Sequence, residues 1–143
     1  ISLVGDGPLL FDMQRLAETY SLSHKVHFFG FHDSPSVFYA SSDCFILSSN
    51  WEGLPITIIE ALSASLPVIA TDVGGCKELV LNGYNGFLFP SNSPYALAHI
   101  IQLLIQDQSL RSRLSFASYK VYKNIFAYDK FIHSTLTVYD SFL

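Results

Sequence analysis

Two glutamates, Glu52 and Glu60, stand eight residues apart in the segment Trp-Glu-Gly-Leu-Pro-Ile-Thr-Ile-Ile-Glu, residues 51–60. Glu52 follows an apolar run, and Glu60 falls in the second turn of the helix that we predict over residues 55–65. A carboxylate has two acceptor oxygens, so it can accept both hydroxyl protons of a ribose diol. A carboxylate beside a sugar can also stabilise positive charge that develops at the anomeric carbon. The pair therefore suits a nucleotide diphosphate sugar as ligand.

The residues between the two glutamates can offer backbone amides to an anion. Gly53 lets a ligand approach the backbone closely. The N–H groups of Leu54, Ile56 and Thr57 lie at the predicted helix start, where the helix dipole favours phosphate oxygens. Pro55 has no N–H to donate. Acidic residues near a helix start are also common for structural reasons, because they complement the dipole, so the spacing alone leaves both interpretations open.

The rest of the pattern predicts the elements that position this segment. Short apolar runs predict strands at residues 1–4, 25–29, 44–47, 67–70 and 86–89, with helical patterns between them. This alternation predicts an α/β fold with a parallel sheet covered by helices on both faces. Ligands of such folds bind at the carboxyl edge of the sheet, which is where Glu52 falls. Three consecutive helices are predicted at residues 96–105, 110–119 and 128–143.

Composition excludes several classes of protein. The 143 residues fit one domain, and 50% hydrophobic and 15% aromatic residues exclude disorder. The net charge of −4 argues against a nucleic-acid partner. No apolar run is long enough for a membrane helix, and two cysteines are too few for a disulfide framework, so we expect a cytoplasmic protein. The five histidines lack metal-ligand spacing, so no metal is expected.

The first residues and the last predicted helix each indicate how this chain relates to the rest of the protein. The chain starts at Ile1, without Met and within a predicted strand, so we expect a fragment of a longer protein. Apolar residues of the last predicted helix fall on one face. This face either packs on the sheet of the same domain or docks on the rest of the protein.

Six ordered motifs surround the glutamate pair. They are residues 3–8, residues 26–30, Ser42-Asp43, Ser48-Ser49 with Glu52-Gly53 and Glu60-Ala61, residues 67–75, and Glu78 with residues 82–86. In this order they closely resemble the C-terminal domain of the glycosyl transferases of group 1, also called family 4. The resemblance runs from residue 1 to about residue 90 and is fainter in the helices beyond.

The resemblance implies a fold and an activity. It implies a Rossmann-like, doubly wound parallel sheet with trailing helices, the C-terminal half of a GT-B glycosyltransferase, with residues 1–143 as one nucleotide-sugar-binding domain. It implies an enzyme that transfers a sugar with retention from a nucleotide diphosphate sugar, by default a UDP-sugar, to an acceptor hydroxyl, without cofactor or metal. Polysaccharide biosynthesis in the cytoplasm is the expected setting.

The resemblance also assigns site residues. Glu52 matches the glutamate that faces the donor sugar, and Glu60 matches the one that binds ribose. Residues 53–57 match the loop beside the sugar and phosphates. Gly30 and Phe31 match the edge that meets the nucleobase, and Gly5 lies near it.

Other features of the family are expected upstream of residue 1. These are the first strand, an arginine and a lysine for the diphosphate, and an N-terminal domain that binds a sugar or lipid-linked acceptor and supplies peripheral membrane contact. We therefore expect the isolated fragment to be inactive. Two further functions stay open, a non-catalytic nucleotide-sugar-binding or scaffold module, and a sugar epimerase that shares the fold.

Overall fold

The protein is represented by a computed structural model that describes residues 1–142. The chain divides into two compact units, Ile1–Ser41 and a second unit that starts at Ser42. Each unit is an α/β arrangement and is described by itself.

The first unit contains two strands and two helices. They are β1 (Ser2–Val4), α1 (Leu10–Thr19), β2 (His27–Gly30) and α2 (Ser36–Ala40). β1 pairs in parallel with β2, and Leu3 lies opposite Phe28. Beyond the paired residues the amide of Gly5 donates to the carbonyl of Gly30, with an N–O distance of 2.7 Å. The turn after β1 is therefore tied to the end of β2.

The second unit contains a three-stranded sheet followed by helices. Its elements are β3 (Phe45–Leu47), α3 (Ile56–Ser63), β4 (Val68–Thr71), α4 (Cys76–Leu79), β5 (Gly86–Phe89), α5 (Pro94–Gln106), α6 (Gln108–Val121), a π-helical turn (Tyr122–Phe126) and α7 (Tyr128–Asp140). β4 lies between β3 and β5, and all three strands are parallel. The carboxyl ends of the three strands consequently meet at one edge.

The central strand β4 carries the core of the second unit, and all four of its residues are buried. Ile69 packs in one cluster with Phe89 of β5, Leu104 of α5 and Leu114 of α6. Because neighbouring side chains of a strand point to opposite faces, burial of every residue means that β4 is covered on both faces. The uniformly apolar run in the sequence predicted this environment.

The predicted strands and helices are all present, with three differences. The strands form two hydrogen-bonded sets rather than one, since β1 pairs only with β2 and β3 only with β4 among residues 1–142. The helix predicted over residues 55–65 is shorter, because Pro55 has extended backbone geometry and helix α3 begins at Ile56. α6 is longer than predicted, since the Asp107 carboxylate accepts a hydrogen bond from the Leu110 amide, 2.8 Å away, and caps its start.

The last helix, α7, contacts the π-helical turn and buries none of its side chains. The expectation that its apolar face packs on the sheet of the same domain is wrong for residues 128–142. The apolar residues Tyr128, Phe131, Leu136 and Tyr139 are all more than half exposed. Residue 143, which the sequence placed in this helix, lies outside the described residues.

Candidate functional site

Loops that follow β3, β4 and β5 build the candidate site at the carboxyl edge of the second unit. Residues 48–55 connect β3 to α3, residues 72–75 connect β4 to α4, and residues 90–93 follow β5. Ligands of open α/β sheets bind at this edge, because side chains and helix starts from neighbouring loops converge there. The structure places Glu52 in the first of these loops, as the sequence predicted.

The carboxylate of Glu52 is half-buried and fixed by a hydroxyl group. Oγ of Ser49 donates a hydrogen bond to Oε1 of Glu52 at 2.6 Å. Oγ1 of Thr71, at the end of β4, donates to the backbone carbonyl of Ser49, also at 2.6 Å. A short hydrogen bond to a carboxylate is stronger than one between neutral groups, so this side chain has a defined orientation. One of its two oxygens is engaged in this way.

The loop after β3 and the loop after β4 are also joined through their backbones. The amide of Gly75 donates to the carbonyl of Gly53, with an N–O distance of 2.8 Å. A Cβ atom at Gly74 would lie 1.8 Å from the carbonyl oxygen of Glu52, and one at Gly75 would lie 2.3 Å from that of Gly53. Only glycine permits this approach, and Gly74 also has a φ of +46°. The glycine pair thus determines where the backbone of Glu52 runs.

Cys76, at the start of α4, is close enough to Glu52 for the charge of that carboxylate to act on its thiol. Its side chain is fully buried. Burial raises the pKa of the Cys76 thiol, and the negative charge of Glu52 raises it further. A thiol that keeps its proton is a poor nucleophile, so Cys76 has a packing role beside Glu52.

At the start of α3 the N-cap residue is Pro55, and its side chain makes no capping hydrogen bond. The first-turn amides of a helix have no intrahelical acceptor and point along the axis, where the dipole favours negative charge. Leu54 and Ile56 are at least half exposed on either side of the buried Pro55. This arrangement can hold an anion, as the sequence indicated for residues 53–57.

Glu60 lies in the second turn of α3, four residues after its first residue, Ile56. Its side chain is half-buried, while Ile58, Ala61 and Leu62 of the same helix are fully buried. The helix therefore has one face in the core, and Glu60 stands at the border of that face. A carboxylate in such a place needs polar partners, since burying an unpaired charge is costly.

The predicted nucleobase residues belong to the first unit. Gly5 and Gly30 are brought together by the hydrogen bond between their backbones. Phe31 follows directly and is 72% exposed, which leaves its ring face accessible. Within the first unit the structure thus gathers the three residues that the sequence grouped.

Sequence reasoning gave no role to three residues that the geometry brings into the site. Ser49 and Thr71 were parts of motifs only, and Ser91 was in none of them. Oγ of Ser91 donates to Oδ1 of Asn50 at 2.8 Å and so joins the loop after β5 to the loop after β3. The position of Ser49 three residues before Glu52 was the one available signal, because a hydroxyl so near in sequence can reach the carboxylate.

Residues 1–142 contain no cluster of three or more histidine, cysteine, aspartate or glutamate side chains placed to bind a metal ion. None of the helices in this part of the chain combines the length and hydropathy that crossing a membrane requires.

These features agree with a comparison to known proteins. The family described as "Glycosyl transferases group 1" matches residues 1–121. The chain belongs to this family, and its α/β fold is that of the GT-B glycosyltransferases.

Three relatives illustrate the similarity. An uncharacterized glycosyltransferase of Methanocaldococcus jannaschii is 32% identical over 140 residues, which cover 96% of this chain and 39% of that protein. Sucrose-phosphate synthase of Thermosynechococcus elongatus matches with a TM-score of 0.88 and 25% identity over 99% of this chain and 38% of that one. Anabaena HepE, solved in complex with UDP-glucose, matches with a TM-score of 0.85 and 27% identity over 96% of this chain and 40% of that one. The chain therefore spans about two fifths of the length of these relatives.

Proposed function

We propose that this chain is the nucleotide-sugar-binding part of a retaining glycosyltransferase. The whole protein transfers a sugar from a nucleotide diphosphate sugar to an acceptor hydroxyl. The observation that carries the proposal is the carboxylate of Glu52, held by Ser49 at the carboxyl edge in the loop that leads into α3. Membership of the glycosyl transferases of group 1 supports it. The complex of HepE with UDP-glucose supports a UDP-sugar as the donor.

Each part of the site has a role in this proposal. Glu52 orients the donor sugar and stabilises the positive charge that grows at its anomeric carbon as the leaving group departs. The amide of Leu54, in the loop before α3, and the amides of Ile56 and Thr57, in its first turn, hold the diphosphate together with the helix dipole. Gly53 leaves room for the phosphates, and Glu60 accepts the hydroxyl protons of the ribose.

The base of the nucleotide is assigned to the first unit. The exposed ring of Phe31 gives a flat apolar surface of the kind on which a base stacks. Gly30 and Gly5, joined at the end of β1 and β2, keep the neighbouring backbone free of side chains. No metal or cofactor takes part, because the charge of the diphosphate is met by helix amides and by basic groups outside this chain.

The remaining parts of the reaction lie in the rest of the protein. An N-terminal domain supplies the acceptor site and further groups for the diphosphate, so the isolated chain does not catalyse transfer. The protein acts in the cytoplasm in the assembly of a polysaccharide, with peripheral membrane contact through that other domain.

The two glutamates give separate tests on the full-length protein. Glu60→Ala is expected to weaken donor binding about tenfold or more, measured by calorimetry with UDP-glucose, because hydrogen bonds to a charged group are lost. Glu52→Ala is expected to lower turnover more than tenfold. Glu18→Ala, at an exposed position of α1, is the matched control and should change neither quantity.

Four results would contradict parts of the proposal. Unchanged donor affinity in Glu60→Ala removes the ribose role, and near-normal turnover in Glu52→Ala removes the role at the donor sugar. A thermal-shift screen with UDP-, GDP- and ADP-sugars identifies the base, and a shift by none of them would refute the binding of a nucleotide sugar. Epimerisation of the donor without any acceptor would contradict transfer.

A further inference from the structure

The geometry points to Ser49 and Thr71 as positioning residues that hold the carboxylate of Glu52 in its working orientation. This inference rests on the proposed role of Glu52 at the donor sugar. It names two residues outside the set that contacts the donor, and they act through Glu52 alone.

The first link is the hydrogen bond from Ser49 to Glu52, with 2.6 Å between Oγ and Oε1. A glutamate side chain has three rotatable bonds, so an unsupported one samples many orientations, and few of them place the carboxylate beside the charge that develops at the anomeric carbon in the transition state. The serine hydroxyl selects one orientation before the ligand arrives. It engages one oxygen of the carboxylate, and the second oxygen can then face the sugar.

The second link ties Ser49 to the sheet. Oγ1 of Thr71 donates to the carbonyl oxygen of Ser49 at 2.6 Å, across a separation of 22 residues in sequence. Thr71 ends the fully buried strand β4 and is itself 2% exposed. Its β-branched side chain has few rotamers, so the donor hydroxyl is well fixed. Two hydrogen bonds in series thereby connect the carboxylate of Glu52 to the buried central strand and restrict its movement.

The surroundings restrict the remaining freedom of Glu52. Its backbone is in contact with Gly74, where a Cβ atom could not be accommodated. The buried thiol of Cys76 lies close enough for the charge of Glu52 to affect its pKa. Gly74 lies in the loop after β4, which follows Thr71 directly, and Cys76 begins the helix at the end of that loop. Placement to within fractions of an ångström is what orientation of reacting groups demands.

The alternative role for Ser49 is direct contact with the donor. The two roles differ in which kinetic quantity they change. Loss of a donor contact weakens donor binding, whereas loss of orientation lowers turnover while donor affinity stays the same. A substitution that acts only through Glu52 also has no further effect once Glu52 has been removed.

The test uses the full-length enzyme and measures UDP release from UDP-glucose, or release of GDP or ADP if the donor screen selects another base. Ser49→Ala is expected to lower kcat about tenfold, with donor affinity by calorimetry within twofold of wild type. Ser49→Thr keeps the hydroxyl and should retain more than a third of the turnover. Thr71→Val keeps the shape of the side chain and should lower kcat about threefold, whereas Thr71→Ser should not.

Ser115→Ala is the matched control. It removes another half-buried hydroxyl, one that donates to the carbonyl of Ser65 at 2.6 Å and makes no bond to the loop of Glu52, and kcat should stay within twofold. In the Glu52→Ala background, Ser49→Ala should lower kcat no further. Thermal unfolding of each variant shows whether it is folded. If Ser49→Ala does not fold, Thr71→Val and Ser49→Thr decide the question by the same comparison of kcat with donor affinity.

The outcomes separate this inference from the proposed function. Normal turnover of Ser49→Ala and Thr71→Val beside an impaired Glu52→Ala would overturn the positioning role and leave the function standing. A tenfold loss of donor affinity in Ser49→Ala would also overturn it, in favour of direct contact. Normal turnover of Glu52→Ala would refute the proposed role of that glutamate and this inference with it.

Discussion

At the scale of single residues, the site depends on two glycines, which have no side chain, as much as on the two carboxylates. Gly74 and Gly75 let the loop after β4 lie directly against the carbonyls of Glu52 and Gly53. The hydrogen bond from the Gly75 amide to the Gly53 carbonyl then fixes the distance between the loops. A residue with a side chain at either position would force the two loops apart.

Gly74→Ala is expected to destabilise the protein by about 2–4 kcal/mol, because the new methyl group would meet the Glu52 carbonyl and alanine is strained at positive φ. The same substitution should lower turnover strongly, since it moves the backbone of Glu52. Urea denaturation and steady-state kinetics measure the two effects. Gly53→Ala, where a Cβ would meet nothing within 4 Å, is the control for stability. A fully stable and active Gly74→Ala protein would contradict the close approach.

The position of Glu52 was predictable from the sequence, and its surroundings were not. A polar segment that follows an apolar run lies at the carboxyl end of a strand, and this local pattern is enough to place Glu52 there. The contact of Thr71 with Ser49 joins residues 22 apart, and the contact of Gly74 with Glu52 depends on the same packing of two loops. A pattern in one sequence does not specify distances between separate loops.

At the scale of elements, a buried asparagine joins the turn before β5 to its neighbours. The side chain of Asn85 donates to the carbonyl of Leu79, accepts from the amide of Leu81, and is fully buried. Its backbone carbonyl accepts a hydrogen bond from the hydroxyl of Ser118, on α6. Asn85 thus provides hydrogen-bond partners for backbone groups at the end of α4, and it links the turn before β5 to α6, which follows much later in the sequence.

Asn85→Ala is expected to lower the free energy of unfolding by about 2–4 kcal/mol, because it leaves the buried carbonyl of Leu79 and the part-buried amide of Leu81 without partners. Asn82→Ala is the matched control. Asn82 lies in the same turn and accepts from the Leu88 amide, but it is exposed, so its loss should cost about 1 kcal/mol or less. Urea denaturation of both variants measures the difference. Equal losses would show that burial does not set the cost.

The strands and helices were predictable because their patterns are local, whereas the pairing of strands was not. Alternating strands and helices indicate parallel strands, and the parallel order β3-β4-β5 confirms this for the second unit. Which strand neighbours which depends on contacts far apart in sequence. The division into a two-stranded and a three-stranded set therefore came from the structure alone. The π-helical turn Tyr122–Phe126 carries no pattern that separates it from an ordinary helix.

At the scale of the whole molecule, the described chain exposes an unusually apolar helix. Phe131 is 62% exposed and Tyr139 is 66% exposed, and both lie in α7, which buries none of its residues. Contiguous apolar surface of this kind favours association in water. The behaviour of the chain in solution should therefore depend on its concentration.

The isolated chain is expected to self-associate, with an apparent mass in light scattering that rises with concentration. Replacing Phe131, Leu136 and Tyr139 together with serine should reduce the association, because less apolar surface is exposed. Replacing the exposed polar residues Asp129, His133 and Thr137 of the same helix with serine is the control. Association that is the same in both triple variants would contradict a role for the apolar face.

The fit between the glycine pair and the loop after β3 bears on any exchange of that loop between this chain and its relatives. If residues 48–55 were replaced with those of a relative, the backbone carbonyls at positions 52 and 53 would have to fit against Gly74 and Gly75 of this chain. Residues 48–55 and the loop that contains Gly74 and Gly75 should consequently be exchanged together in protein engineering. A chimera that transplants them together should keep its fold, whereas one that transplants the first alone should not.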